Sequence, residues 1–173
     1  MAGRFAMTIM QKISQGDLEA NLAAQAQGEA CDLSNADLSA ILWNGLDLSG
    51  TTIALSLIRD AHFSAGQVLH GCCWIGNRIE NCVFASISIS KSEMLDCEFN
   101  GCAMEAMQLF RADLSGTLFS SCRFVDVDFS QATMIRVGFE NCIFVQTRLT
   151  KDLLFTGTGD FVFSAGELVS PDR

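Results

Sequence analysis

Cys82, Cys102, Cys122 and Cys142 recur at a spacing of twenty residues, and a finer period of five runs inside that spacing. The 3.6-residue period of a helix and the two-residue period of a strand both fail to generate a five. A chain that repeats at five and again at twenty winds as a coil whose circuit closes every four fives. Self-similarity of this kind constrains the fold before any local propensity does.

Taking the large apolar residue as the centre of each five, the centres run from Leu33 through Leu38, Trp43 and Leu48 to Val68. After one six-residue step they resume at Trp74 and run through Ile79 and Phe84 to Leu154. Every centre is apolar. Two residues before the centre the side chain is small or apolar in most fives, as at Ala36, Ala61, Ala112 and Val127, and every cysteine but Cys73 stands there. The geometric reading is that the centre fills the coil axis. The residue two before it also points inward, near a corner where room is limited, and the others face out. Glycine recurs two after the centre, as Gly45, Gly76 and Gly116, where a tight turn favours it. The extra residue of the six-residue step is expected at His70–Gly71, as a bulged corner.

The fives Asn35-Ala36-Asp37-Leu38-Ser39, Gly45-Leu46-Asp47-Leu48-Ser49 and Arg111-Ala112-Asp113-Leu114-Ser115 follow the pattern A-(D/N)-L-X-X. In these residues, and over 31–154 as a whole, the chain resembles the pentapeptide-repeat proteins. The resemblance implies an all-β fold, a right-handed quadrilateral β-helix with one five per side and four per coil. About six coils stacked at the strand spacing of ~4.8 Å would make a rod on the order of 30 Å long. Each buried Phe or Leu contributes roughly 1.5–3 kcal/mol, ample for independent folding. The chain then divides into an N-terminal cap over 1–30, the coil over 31–154 and a C-terminal cap or tail over 155–173.

A repeat coil exposes its core at both ends, so caps are expected. Ser14 followed by Asp17 has the spacing of a capping box. Leu18 and Leu22 share a helical face and Gly28 can end the helix, which predicts a short helix over about 15–27, helped by Phe5, Ile9 and Ile13. Phe161 and Phe163 alternate with Val162 and predict a strand. That strand either covers the last coil or, as in many relatives implied by the resemblance, pairs two copies end to end into a homodimer.

No residue set reads as catalytic. Stacked thiols form a line, whereas a tetrahedral metal site needs ligands converging on a point. The ladder is therefore read as core packing, with no metal and no cofactor. His62 and His70 have no cysteine or acidic partner at a catalytic spacing, and neither a nucleophile elbow nor a phosphate-binding glycine loop occurs. The net charge is -9, and the single proline is Pro171. Met1 to Lys12 lacks the apolar run of a signal peptide, and no run approaches a membrane span. The expectation is a cytoplasmic chain with reduced thiols; export by a route independent of a signal peptide stays open.

Function is then expected on the outside. With sides numbered by successive fives from Leu33, the first carries Asp32, Glu93, Asp96, Asp113 and Asp152 against Arg136. The second carries Asp37, Asp60, Glu80, Glu98 and Glu140 against Arg59 and Arg78. The third has only Glu105, Asp126 and Arg123, and the fourth has Lys91, Arg111, Arg148 and Lys151 against Asp47 and Asp128. Two adjacent sides are thus acidic, a layout that steers a basic partner. Outward apolar residues form a broken column on side one (Ile75, Leu95, Ile135, Phe155) and a cluster on side three (Val125, Ile143, Val145), with Val83 and Leu42 further along. The candidate partner-binding residues are Val125, Ile143 and Val145 on the third side, and Asp37, Glu80 and Glu98 on the acidic second. The expected function is a non-enzymatic protein-binding scaffold or adaptor, with no direct contact to nucleic acid or membrane. The resemblance extends to adaptor and effector-associated proteins of bacterial secretion systems. It also extends to DNA mimics that bind DNA gyrase and confer fluoroquinolone resistance, which is the alternative.

Overall fold

The computed structural model describes residues 10–28, 31, 33–65, 67, 69–129, 132–148 and, for the backbone alone, 161–164. Within them the chain winds as a parallel β-solenoid of about five turns, with one short helix at its N-terminal end. The expected six coils counted Leu149 and Leu154, which lie outside the described residues, as do Val68, Phe5 and Ile9.

Successive coils pair in parallel at an offset of twenty, for example Phe99 with Phe119 and Phe119 with Phe139. The second face is a seven-stranded sheet running from Gln11–Lys12 to Gly138–Glu140, and the third a six-stranded sheet ending in Phe161–Ser164. The first face pairs Thr52–Ala54, Cys73–Ile75 and Glu93–Leu95, and single bridges continue it through Asp113 to Thr133. The fourth face is joined by single bridges from Ser88 through Gln108 and Asp128 to Arg148. The sides keep the order counted from the sequence.

The centres fill the axis, and those described from Leu33 to Phe144 are all buried. Because the coil repeats at the strand spacing, aromatic centres stack on themselves. Ring centroids lie 4.7 Å apart for Phe63–Phe84, 4.9 Å for Phe99–Phe119, 5.2 Å for Phe119–Phe139 and 4.8 Å for Phe124–Phe144. Offset stacks at this separation add to the area they bury.

The position two before the centre has a second role that the small-residue pattern conceals. Its side chain donates to the carbonyl of the centre on the preceding side, one coil below. Thr117 Oγ1 reaches Met94 O at 2.6 Å, Ser56 Oγ reaches Leu33 O at 2.7 Å, Ser92 Oγ reaches Leu69 O at 2.8 Å, and Asn77 Nδ2 reaches Ile53 O at 2.6 Å. Cysteines do the same more weakly, as Cys142 Sγ to Phe119 O at 3.3 Å. Several of these groups also accept an amide: Ser56 N donates to Asn77 Oδ1 at 2.9 Å, and Ala36 N to Ser56 Oγ at 2.9 Å. Each such donor ties its coil to a buried carbonyl of the coil below, in addition to the strand ladder.

The D-L-S triplets have an equally local cause. The carboxylates of Asp37, Asp47 and Asp113 accept the amides of Ser39, Ser49 and Ser115 at 3.0, 2.9 and 2.9 Å, closing the turn after the centre. Two residues after the centre the backbone is left-handed. Gly116 stands there at φ 75°, but so do Asn35 at 55°, Asp96 at 52° and Arg136 at 58°. The corner therefore prefers glycine and tolerates others.

The phase break lies one side earlier than His70–Gly71. Gln67 and Leu69 are buried at 7% and 1%, which makes Leu69, not Val68, the centre of its five. Gly71, at φ 65°, then stands at an ordinary corner two residues on. The extra residue falls between Phe63 and Gln67. Gln67 closes the enlarged corner: its Oε1 accepts Ser64 N at 2.7 Å and its Nε2 donates to Trp43 O. The sequence pattern favoured Val68 because a buried glutamine is uncommon; here the amide is buried because backbone groups need it.

The N-terminal end is closed as the capping residues imply. Ser14 and Asp17 form a capping box on the helix Gln15–Gln25, whose Leu18 is wholly buried and whose Leu22 packs partly against the core. Gln11–Lys12 pairs with Ala36–Asp37. Gln15 then pairs with both backbone groups of Leu42, accepting from N at 2.8 Å and donating to O at 3.1 Å, and Gln25 Nε2 donates to Ser49 O at 2.9 Å. Two side-chain amides thus complete strand edges that the first coil leaves open. At the other end the expected strand is Phe161–Ser164, parallel to Cys142–Val145 with Phe163 in register with Phe144.

Candidate interaction surface

The cysteines are spent on the interior. They are thiols, and every one but Cys73 is buried. Cys72 points in and Cys73 out, as alternation along a strand requires, so the adjacent thiols do not face each other. Among the described residues no cluster of three or more His, Cys, Asp or Glu converges on a point a metal ion could occupy. Burial pushes Cys72 up to about 11 and Cys97 up to about 12. Along the ladder the thiols donate to backbone carbonyls, and neighbouring thiols shift one another's titration. Cys82 is raised, by Cys102 first and burial second, and Cys142 is lowered by the neighbouring Cys122.

Two results follow for the thiols. Denatured protein should titrate eight equivalents of a thiol reagent, and native protein about one, Cys73; several disulfides formed without reductant would overturn the assignment. Stability should also fall as pH rises above about 9, the ordinary value for these thiols. Unfolded thiols release protons there while Cys72 and Cys97 hold theirs to about 11 and 12, so each added pH unit favours the unfolded chain. Cys142 opposes this trend as a single group. Urea midpoints between pH 8 and 11 measure the slope.

The third-face candidates come together. Val125 and Val145 are Cα partners on adjacent coils, and Ile143, 39% exposed, shares a strand with Val145. The two valines are half-buried, Ile143 stands opposite Arg123, and Phe161–Ser164 pairs along the outer edge of their strand. The second-face carboxylates do not form a wall. Asp37 is separated from Glu98 by Leu57 and Arg78 in one axial row. Ser39, packed beside it and donating its amide, holds the Asp37 carboxyl below its ordinary range. Glu80 lies between two guanidinium groups, 2.8 Å from Arg59 and 2.7 Å from Arg78.

The first face, which the sequence ranked lower, is exposed as well, beside the third with Leu42 at 76%. On the first face Leu55 is 50%, Ile135 43% and Ile75 37% exposed, and Leu95 is half-buried beside Ile75. Leu55 was missed because it occupies a corner, where the pattern leads one to look for glycine or a polar residue. Its Cδ2 lies over Gly76, 3.0 Å from where a β-carbon would stand, so the glycine makes room for it. An open groove of about 420 Å³ between the helix and the first coil is lined by Leu22, Leu46, Glu19 and Asp47 among others, and brings no reactive groups together.

Residues 112–150 match the family model described as pentapeptide repeats, in eight copies. No curated protein matches the chain. Similar solved structures include QnrB1, a plasmid-mediated fluoroquinolone resistance protein, in a trypsin-treated form (16% identity, 65% of this chain and 64% of that one, TM-score 0.39). They also include the pentapeptide repeat protein Rfr23 of the cyanobacterium Cyanothece 51142 (12% identity, 72% and 97%, TM-score 0.32). A third is a pentapeptide repeat protein of the Arabidopsis thaliana thylakoid lumen (14% identity, 72% and 59%, TM-score 0.25). The chain thus spans about two thirds of the QnrB1 form it matches. Residues 112–150 thus carry pentapeptide repeats, and burial follows the same five-residue period back to Leu33.

Proposed function

We propose that this rod is a non-enzymatic protein-interaction scaffold or adaptor. One observation carries the reading: the fold divides its side chains cleanly. Inward thiols, hydroxyls and the Asn77 amide spend their hydrogen bonds on backbone groups. Outward side chains are held in axial rows about 4.8 Å apart, a fixed template for another surface. The DNA-mimic alternative, with gyrase as partner, needs a continuous acidic wall. Arg59 and Arg78 interrupt that wall at Glu80, so the scaffold reading is preferred.

The test places a photo-crosslinking residue, one at a time, at Ile75, Ser120, Val125 and Gln108, one per face, in living cells. A scaffold yields one recurring protein adduct from one face and not from the others. Adducts that do not depend on the face would sink the proposal.

A further inference from the structure

We infer that the first face docks an amphipathic α-helix of a partner protein, apolar along one stripe and basic beside it. This rests on the scaffold reading and gives it a face and a partner chemistry. Ala54, Ile75 and Leu95 are successive Cα partners on three adjacent coils, so they form one axial stripe, which Leu55 widens from the corner. Carboxylates border the stripe on both sides. Glu93 and Asp113 are bridged neighbours in the row before the centres, and Asp96 stands at the corner after them, its carboxylate lying over Gly116. The ion pairs among the described residues, Arg59–Glu80 and Arg78–Glu80, belong to the second face and do not reach these three.

Dimensions select a helix over a strand. A helix laid along the rod presents one apolar side chain per 5.4 Å turn against a coil rise of about 4.8 Å, so three coils accumulate a mismatch of only about 1 Å. A strand laid the same way presents one every ~6.6 Å and loses register after about two coils. Charge selects a partner over a second copy. The chain carries -9, and a face-to-face pair would bring Glu93, Asp96 and Asp113 of both copies together, whereas lysines or arginines flanking the helix stripe meet them favourably.

The probe is an 18-residue helical peptide of leucine and lysine with its leucines on one face, compared with a version carrying glutamate for lysine. Binding is read by fluorescence anisotropy at physiological salt. The wild-type protein should bind the lysine peptide and not the glutamate one. Ile75→Asp with Leu95→Asp adds negative charge yet should weaken binding about tenfold, because two apolar contacts are lost. Asn100→Asp with Gln108→Asp, which adds the same charge to the second and fourth faces, should stay within about twofold. Leu55→Ser, which adds no charge, should lose about threefold. Circular dichroism confirms that each variant is folded. Loss in neither double variant, or an equal gain in both, means the peptide reads net charge alone and overturns the inference, as does equal loss in both, which would mean that the first face is not the site. So does a wild-type dimer in sedimentation that the Ile75/Leu95 variant dissolves. Either failure would leave the scaffold reading to stand or fall on its own crosslinks.

Discussion

Phe119→Asp is expected to cost about 5 kcal/mol or more, a sum of the lost ring and an unpaired buried carboxylate. Phe119 is 2% exposed, stacked between Phe99 and Phe139 with Phe124 edge-on at 5.4 Å. Domains of this kind have roughly 5–15 kcal/mol in total, so much of the population should unfold. The neighbouring Ser120→Asp is the control. Ser120 faces outward, and its hydroxyl lies 3.3 Å from Glu140 Oε2, so an aspartate there meets a like charge across the coil. That repulsion should cost less than about 1 kcal/mol. Urea denaturation of the two variants tests the inward-outward assignment, and equal effects would refute it.

Asn77→Ala is expected to be the next most damaging, at roughly 2–4 kcal/mol, because it orphans the buried Ser56 amide and removes a buried bond to the Ile53 carbonyl. The side chain is 1% exposed, gives its Nδ2 hydrogen to Ile53 O and receives Ser56 N on Oδ1. Asn77→Asp should be no better, since it sets a carboxylate oxygen against the Ile53 carbonyl. Amide exchange distinguishes this mechanism from simple cavity formation. The Ser56 amide should lose protection in Asn77→Ala beyond the global change, and uniform acceleration would count against the account.

Periodicity made the coil legible because its geometry is strict. A centre must be apolar, and a corner must turn, so Leu33 to Phe144 and Gly116 could be placed without coordinates. The capping box at Ser14 was legible for the same reason, being a matter of spacing along one segment. What stayed hidden depends on partners twenty or more residues away. Gln67 looked unfit for the interior until Trp43 and Ser64 were seen to need its amide, and that misplaced the phase break. Asn77 looked like an exception to the small-residue rule and is a bonded member of it. Gln15 and Gln25 cap the first coil through contacts that no local pattern announces. The Arg59–Glu80 pair, twenty-one residues apart, was within reach of the ladder logic once the extra residue was counted. Charge totals by side concealed it. Exposure at Leu55 stayed hidden because it depends on what the neighbouring coil leaves open, as Gly76 does.

The closed N-terminal end also governs what assemblies can exist. Head-to-tail stacking is a heterologous contact and extends without limit into a fibre, whereas two-fold pairing of identical ends closes on itself. A parallel coil would otherwise be well suited to such growth, since each end displays unpaired strand edges of matching pitch. Here Gln11–Lys12, Gln15 and Gln25 already occupy edges on three sides of the first coil, and Leu18 fills its axis. Among the described residues, an incoming C-terminal end would meet these groups in place of open edges of the first coil on those three sides. The helix therefore works against polymerisation as much as it covers the core.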